Sequence, residues 1–448
     1  MTFLRGLLAG RSHLAVLLGL GAAAATAGAV HRIVPGAPAL TRFEAFAPPA
    51  SALPLRPNGP LDPRERALAR TAWTYFERNT DRETGLAAAV AGHRVVTLWD
   101  VGSQLFAVLS AEDLGLVTAA DASRRLSRAL GSLAALPLCA GGQPNKAYDT
   151  RTLEPVGYDG RSAPDGIGWS ALDVARVLLP MGLAARRHPE LAPLVSRAVS
   201  RWRLEAFSDG ASLRGATRRQ DGALEEHAEG RFGYEQHAAK AFVAWGVPAP
   251  AALDYRTHVA FTHVQGQTVP HDARHPRDHA GADAALVPEP WLLDALEHGP
   301  DAISLPVLRA LLRAQARRHQ AVGRLTAVSE DALDRPPWFS YSALLNGDDR
   351  WTAVGPDGRP APGTLTFSTK AAVAWAALFQ GAYPERLFAA AAELAVPGEG
   401  LWAGRYDATW EPNRALSLNT SAVVLEALAY HLRGPAVRAS VARQEDDR

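Results

Sequence analysis

The sequence predicts an all-α fold, a closed toroid of about six helical hairpins, and three observations carry the prediction. About eleven segments place apolar residues at helical spacing, many in pairs joined by short loops. Strand signals are sparse. No repeat of fixed period runs through the chain, as an open solenoid would require, so the closed ring is preferred.

The first helix starts at Asp62-Pro63, an N-cap acid followed by proline at the first helical position, and runs to about Asn79. Further helices are expected at 101–114, 119–136, 167–187, 191–207, 233–245, 289–297, 305–320, 368–379, 385–395 and 418–432. The best strand candidates are 95–98, 259–264 and the neighbourhood of 325–328. Between the helices lie four long stretches rich in Gly, Pro, Asp, His and aromatics, at 138–166, 208–231, 254–287 and 331–366. Long loops on a helical scaffold are where function concentrates.

The ends read differently. Arg5 and Arg11 precede an apolar run from 14 to 30 containing Ala27-Gly28-Ala29, so residues 1–32 read as a signal peptide or membrane anchor. Seven prolines between Pro35 and Pro60 make 33–61 a linker. Residues 62–433 form the main domain and 434–448 a disordered tail. The expected location is the periplasm or another extracytoplasmic space, with membrane contact only through the N-terminal segment.

Of the 448 residues, 47% are apolar and 21% charged, an ordinary globular composition. A net charge of +1 with interleaved signs offers no footprint for nucleic acid. A monomer is expected. Cys139 is the single cysteine, so no intrachain disulfide can form. Lysine occurs only at Lys146, Lys240 and Lys370 in an arginine-rich chain, which marks positions where a compact ammonium matters; Lys146 lies in a motif-like loop and Lys240 follows another.

Acids and aromatics recur together at helix starts and in loops. They are Trp99-Asp100, Lys146 with Tyr148-Asp149, Trp169 with Asp173, Arg231 with Tyr234-Glu235, and Glu330 followed by Trp338 and Tyr341. Glu289 beside Trp291, and Trp402 with Arg405 in a glycine-rich turn, extend the pattern. Flat sugar faces stack on aromatic rings, and sugar hydroxyls need mixed donors and acceptors. Asp100 could equally cap its helix, Glu235 and Glu330 could answer helix dipoles, and Ser329 could cap a short helix. His271, Asp272, His275, Asp278 and His279 are broken by Pro270 and Pro276 and read as a solvated loop, so no metal is expected. No nucleophile elbow or phosphate loop is present, and no cofactor is expected.

Trp99-Asp100-Val101-Gly102-Ser103, Asn145-Lys146-Ala147-Tyr148-Asp149, Gly168-Trp169-Ser170-Ala171-Leu172-Asp173, Gly233-Tyr234-Glu235-Gln236 and Ser329-Glu330-Asp331 together resemble the bacterial family called domain of unknown function 3131, over about 66–431. More distantly the pattern is similar to glucoamylase-like domains of β-1,2-glucanases and cyclic β-glucan synthases. That resemblance implies an (α/α)6 toroid with an acidic, tryptophan-lined cleft. The expected function is hydrolysis or transglycosylation of a glucan or envelope polysaccharide, with Glu235, Glu330 and Asp100 as the candidate catalytic acids. The alternatives are a non-catalytic glycan-binding component of a polysaccharide synthesis or export system, and a helical interaction scaffold.

Overall fold

A capping box sets the start of the first helix. The Asp62 carboxylate accepts from the amides of Arg64 and Glu65 at 2.7 and 2.8 Å, and Glu65 accepts from the Asp62 amide at 2.8 Å. In the computed structural model, which describes residues 53–139, 142–274 and 284–438, twelve α-helices follow one another in six pairs. They are α1 (Pro63–Asn79), α2 (Leu98–Asp113), α3 (Ala119–Ala135), α4 (Ala171–Arg187), α5 (Ala192–Val199) and α6 (Tyr234–Ala244). Then come α7 (Pro250–Leu253), α8 (Glu289–Glu297), α9 (Ser304–Val322), α10 (Thr369–Leu378), α11 (Ala382–Ala392) and α12 (Leu418–Arg433).

The even-numbered helices form an inner ring: α2 packs on α4, α4 on α6, and so on through α12, which returns to α2. Helices buried on all sides must be apolar or satisfied all round. Every residue of α8 and of α10 is buried. The outer helices are amphipathic, as in α3, which buries Leu126, Leu130 and Leu133 on one stripe. Close approach within the ring needs small residues: a Cβ on Gly102 of α2 would collide with the Arg176 carbonyl of α4.

The expected helices are present with ends shifted by a few residues. The exceptions are 191–207, where α5 stops at Val199 and a separate 3₁₀ turn spans Leu204–Phe207, and the single-turn α7, which has too few residues for a period to show. The all-α expectation is corrected. Sixteen short strands occur among the described residues, mostly in antiparallel hairpins along the connections. Val95–Thr97 leads into α2, Gly168–Ser170 into α4, Thr366–Ser368 into α10 and Pro412–Leu416 into α12. The strand expected near 325–328 lies at Glu330–Ala332, paired with Phe339–Asn346 so that Glu330 faces Tyr341 across the ladder. Ser329 therefore caps no helix. The Trp402 segment is not a loose turn but the Gly400–Tyr406 strand, paired on both sides.

The last residues of the expected linker are not a free tether. The Arg56 amide donates to Leu378 O and the Gly59 amide to His431 O, each at 2.9 Å, and Asn58 Nδ2 donates to Tyr430 O at 2.6 Å. An extended, proline-rich segment cannot be a helix, but it can satisfy the terminal carbonyls of α10 and α12. The leader, most of the linker and the end of the tail lie outside the described residues. Among the described residues no helix is long and apolar enough to cross a membrane.

Gly102→Val places a branched side chain against the α4 backbone; it is expected to destabilise the fold by roughly 1–3 kcal/mol. Urea unfolding checks this, and an unchanged midpoint would show that α2 and α4 can separate freely.

Candidate active site

The first turns of the inner helices converge at one end of the ring. Asp100 belongs to α2, Asp173 to α4, Tyr234 to α6, Glu289 to α8, Lys370 to α10 and Asn419 to α12. Helix N-termini carry partial positive charge, so this end suits carboxylates. At its centre Lys370 Nζ donates to Glu289 Oε1 at 2.6 Å, both residues 1% exposed. Ser329 Oγ donates to Glu289 Oε2 at 2.5 Å, and Asn419 Nδ2 to Oε1 at 3.2 Å. Burial alone would lower the Lys370 pKa, but Glu289, Glu330 and Asp331 raise it above the ordinary value, so the ammonium persists.

Glu330 stands beside this pair and accepts from Tyr234 Oη at 2.5 Å. Burial and the Glu289 carboxylate push its pKa up to about 7, against the pull of Lys370, Tyr234 and Arg231. Asp331 points to the other face of the strand, where Thr366 and Ser368 hydroxyls each donate at 2.9 Å. Burial raises it to about 6, against Lys370 and those two hydroxyls.

Asp173 is the second raised acid at the mouth. Ser170 Oγ caps its amide at 3.1 Å and also hydrogen-bonds its carboxyl. Burial and Glu229 raise its pKa to about 8; Asp100 adds to the rise and Lys146 opposes it. Glu229 accepts from the Ala171 amide at 2.5 Å, at the start of α4. Tyr341 feels both raised acids, Glu330 and Asp173, and its ring lies 5.3 Å from the Arg231 guanidinium. Asp100 is the capping-box residue its alternative reading described: its Oδ2 accepts from Thr97 Oγ1 at 2.6 Å, and burial raises its pKa. Its Oδ1 has no protein partner among the described residues. Trp99, Asp100, Lys146, Asp173, Glu229, Arg231, Tyr341 and Asn419 are all half-buried, so they present an open surface rather than a sealed core. Lys146 Nζ reaches Thr217 Oγ1 at 3.0 Å on this wall.

Other expected site residues are used elsewhere. Glu235 is 1% exposed, pairs with Arg274 at 2.8 Å and accepts from the Leu213 amide at 3.2 Å. Arg274 in turn grips Asp272, which accepts from the Phe232 amide at 2.8 Å. Glu235 thus anchors the loop bearing Glu229 and Arg231 and does not face Glu330. Trp169 is buried edge-on against Phe207, a core contact. Tyr148 is buried with its hydroxyl donating to Pro137 O at 2.8 Å, and Asp149 closes a turn on the amides of Arg151 and Thr152. Arg405 is directed to Glu393 at the end of α11, at 3.1 Å. Trp402 is half-buried under the Arg414 guanidinium, 5.7 Å away. Trp338 is 63% exposed at the tip of the Glu330 hairpin. His275, Asp278 and His279 lie outside the described residues.

Sequence reasoning passed over Lys370, Asn419 and Glu229. Lysine scarcity was a usable signal for Lys370; Asn419 and Glu229 carry no local signal that sets them apart. It also passed over the network beneath the site. Asn419 Oδ1 accepts from Ser103 Oγ at 3.0 Å, and Ser103 Oγ accepts from Arg176 Nε at 3.3 Å. Arg176 pairs with Glu297 and with Glu426 at 2.6 Å, and His237 sits 2.8 Å from Glu297. Burial opposes the charge on Glu297, but His237 and Arg176 hold it down at about 2; burial wins at Glu426, raised to about 8 despite Arg176.

Asp173, Glu330, Asp331 and Glu426 all have folded pKa values above their ordinary ones. In that window the folded chain holds protons that the unfolded chain has released, so stability falls as pH rises. Above about pH 6.5, where His227, His271, His298 and His431, whose pKa values burial lowers, no longer take up protons on unfolding, the melting temperature is expected to drop towards about pH 8, and Glu426→Gln to flatten the drop. A melting temperature that rises over this range would contradict the buried neutral acids.

Solved structures share this architecture. A glucoamylase-like protein from Bacteroides caccae ATCC 43185 superposes with a TM-score of 0.58 at 13% identity, over 85% of this chain and 98% of its own. The endo-β-1,2-glucanase of Chitinophaga pinensis, solved with sophorotriose and glucose, gives 0.55 at 10% identity over 85% and 97%. The endo-β-1,2-glucanase of Talaromyces funiculosus with sophorose gives 0.56 at 10% over 86% of each chain. At such identities the likeness establishes the fold, a glucoamylase-like (α/α)6 toroid, and not the chemistry. No curated protein is matched by the sequence. Residues 67–434 match the family described as "Protein of unknown function (DUF3131)", and the chain belongs to that family.

Proposed function

We propose that the protein is a glycoside hydrolase acting on a glucan or related envelope polysaccharide, with Asp173 and Glu330 as its acid–base pair. The observation that carries this reading is the pair itself. Two carboxyls raised to about 8 and about 7 flank Tyr341 at the mouth of a ring of helices. The fold is one it shares with endo-β-1,2-glucanases. Near neutrality Asp173 keeps its proton and can deliver it to the leaving oxygen. Glu330, beside Lys370 and Arg231, ionises more readily and can activate water or attack the anomeric carbon.

Asp100 Oδ1, Lys146 and Arg231 supply polar partners for sugar hydroxyls, while Trp99 and Tyr341 supply ring faces. Glu235 leaves the catalytic set and keeps a positioning role. The expected leader and linker would deliver the domain outside the cytoplasm, where envelope glycans are found.

The test is turnover of a panel of β- and α-glucans by purified protein, with product analysis. Asp173→Asn and Glu330→Gln are each expected to lower kcat by about a hundredfold or more, while Glu235→Gln retains turnover. Activity should rise as Glu330 ionises through about pH 7 and fall as Asp173 loses its proton through about pH 8. Full turnover by both acid variants would sink the assignment. Calorimetric binding without turnover of any glycan would instead favour a binding component of a polysaccharide system.

A further inference from the structure

Tyr158 has no part in the site described above. It stands on a tight turn, where the Gly157 amide donates to Arg161 O at 2.9 Å and the Gly160 amide to Gly157 O at 3.0 Å. The Arg161 amide donates to Asp159 Oδ1 at 3.0 Å. Gly160 takes φ +78°, and a Cβ there would come within 3.3 Å of the His93 ring and 3.4 Å of Val95. His93 Nε2 lies 3.3 Å from Tyr158 O. Just before the turn, Val156 is buried with Val95 and Ala147, and its amide donates to Ala147 O at 3.1 Å. The turn is therefore fixed to the strand that runs directly into Trp99 and Asp100.

A rigid turn of this kind needs no large side chain at its tip, yet it presents a tyrosine that is 59% exposed. The phenol is not adrift in solvent. Asp173 of α4, Tyr341 of the Glu330 hairpin, Glu229 before α6 and Asp100 of α2 are its ionisable neighbours, drawn from four separate parts of the fold. Its hydroxyl makes no hydrogen bond within the described residues. An amphipathic ring held at one edge of an acid-lined mouth, with an unused donor, matches what a pyranose offers: one apolar face and a rim of hydroxyls.

We infer that Tyr158 is a substrate-contacting residue, the second wall of the mouth, covering the outer face of a sugar that lies between Asp173 and Tyr341. This rests on reading the mouth as a glycan site. The ring would stack on the sugar, and the hydroxyl would donate to a sugar oxygen. Because the turn is pre-organised, little conformational entropy is lost when the wall is used.

The test is calorimetric titration of the full chain and of Tyr158→Phe and Tyr158→Ala with β-1,2-, β-1,3- and β-1,6-linked glucooligosaccharides. The expected result is binding of one class by the unaltered protein, weakened about tenfold in Tyr158→Ala. Tyr158→Phe, which keeps the ring, loses about threefold. In turnover the loss should fall on KM more than on kcat. Tyr158 is exposed at a turn tip, so melting temperatures should be unchanged and the comparison fair. Equal affinity of Tyr158→Ala and the unaltered protein would overturn the inference while leaving the glycan site standing. Absence of binding by the unaltered protein to every class would overturn both.

Discussion

The ion pair between Lys370 and Glu289 is the constraint on which the site depends. Each charge taken out of water costs several kcal/mol unless it is fully partnered. Here the partners come from everywhere around the ring: α8 supplies Glu289, α10 supplies Lys370, the Glu330 strand supplies Ser329, and α12 supplies Asn419. The pair can exist only when four separate parts of the chain have arrived, so it both requires and fixes the closed ring. It also sets the chemistry next door. Burial and Glu289 raise the pKa of Glu330 and Lys370 lowers it, and the balance leaves an acid that titrates at about 7.

Below it, the hydrogen-bonded run through Asn419, Ser103 and Arg176 solves a second problem. A ring of six inner helices leaves an axis that must be filled. Apolar side chains would fill it, but the mouth must then carry its charges unsupported. Arg176, shared between an ionised Glu297 and a neutral Glu426, fills the axis with a network whose net charge is small. The short strands serve the same end differently. Four of them run straight into an inner helix and fix where its first turn begins, and the first turn is where the side chain at the mouth sits.

Much of this was legible in the chain. Helical periodicity placed eleven of the twelve helices, because a buried or amphipathic helix writes a period that survives without tertiary information. Glu289–Glu297 and Val259–Val264 came out to the residue. The motif stretches around Trp99, Trp169, Tyr234 and Glu330 do hold the residues at the mouth. What sequence could not do was assign neighbours within a motif. Asp173 and Trp169 lie on one short motif, yet the carboxyl reaches the mouth while the indole is buried on Phe207. Glu235 adjoins Tyr234, yet Tyr234 reaches Glu330 while Glu235 turns to Arg274.

The sequence by itself determined the helices, the family and the stretches that matter, since these depend on periodicity, capping and local composition. Only the tertiary structure decided which acids stand at the mouth with raised pKa values. The ordinary carboxyl pKa is a property of the residue, but its rise to about 7 or 8 comes from burial beside charges distant in sequence: Glu229 raises Asp173, and Glu289 raises Glu330 against the pull of Lys370 and Arg231. Long-range electrostatics of that kind leaves no local trace in the chain, which is why Asp173 read as a binding residue and Glu235 as a catalyst until the ring was closed.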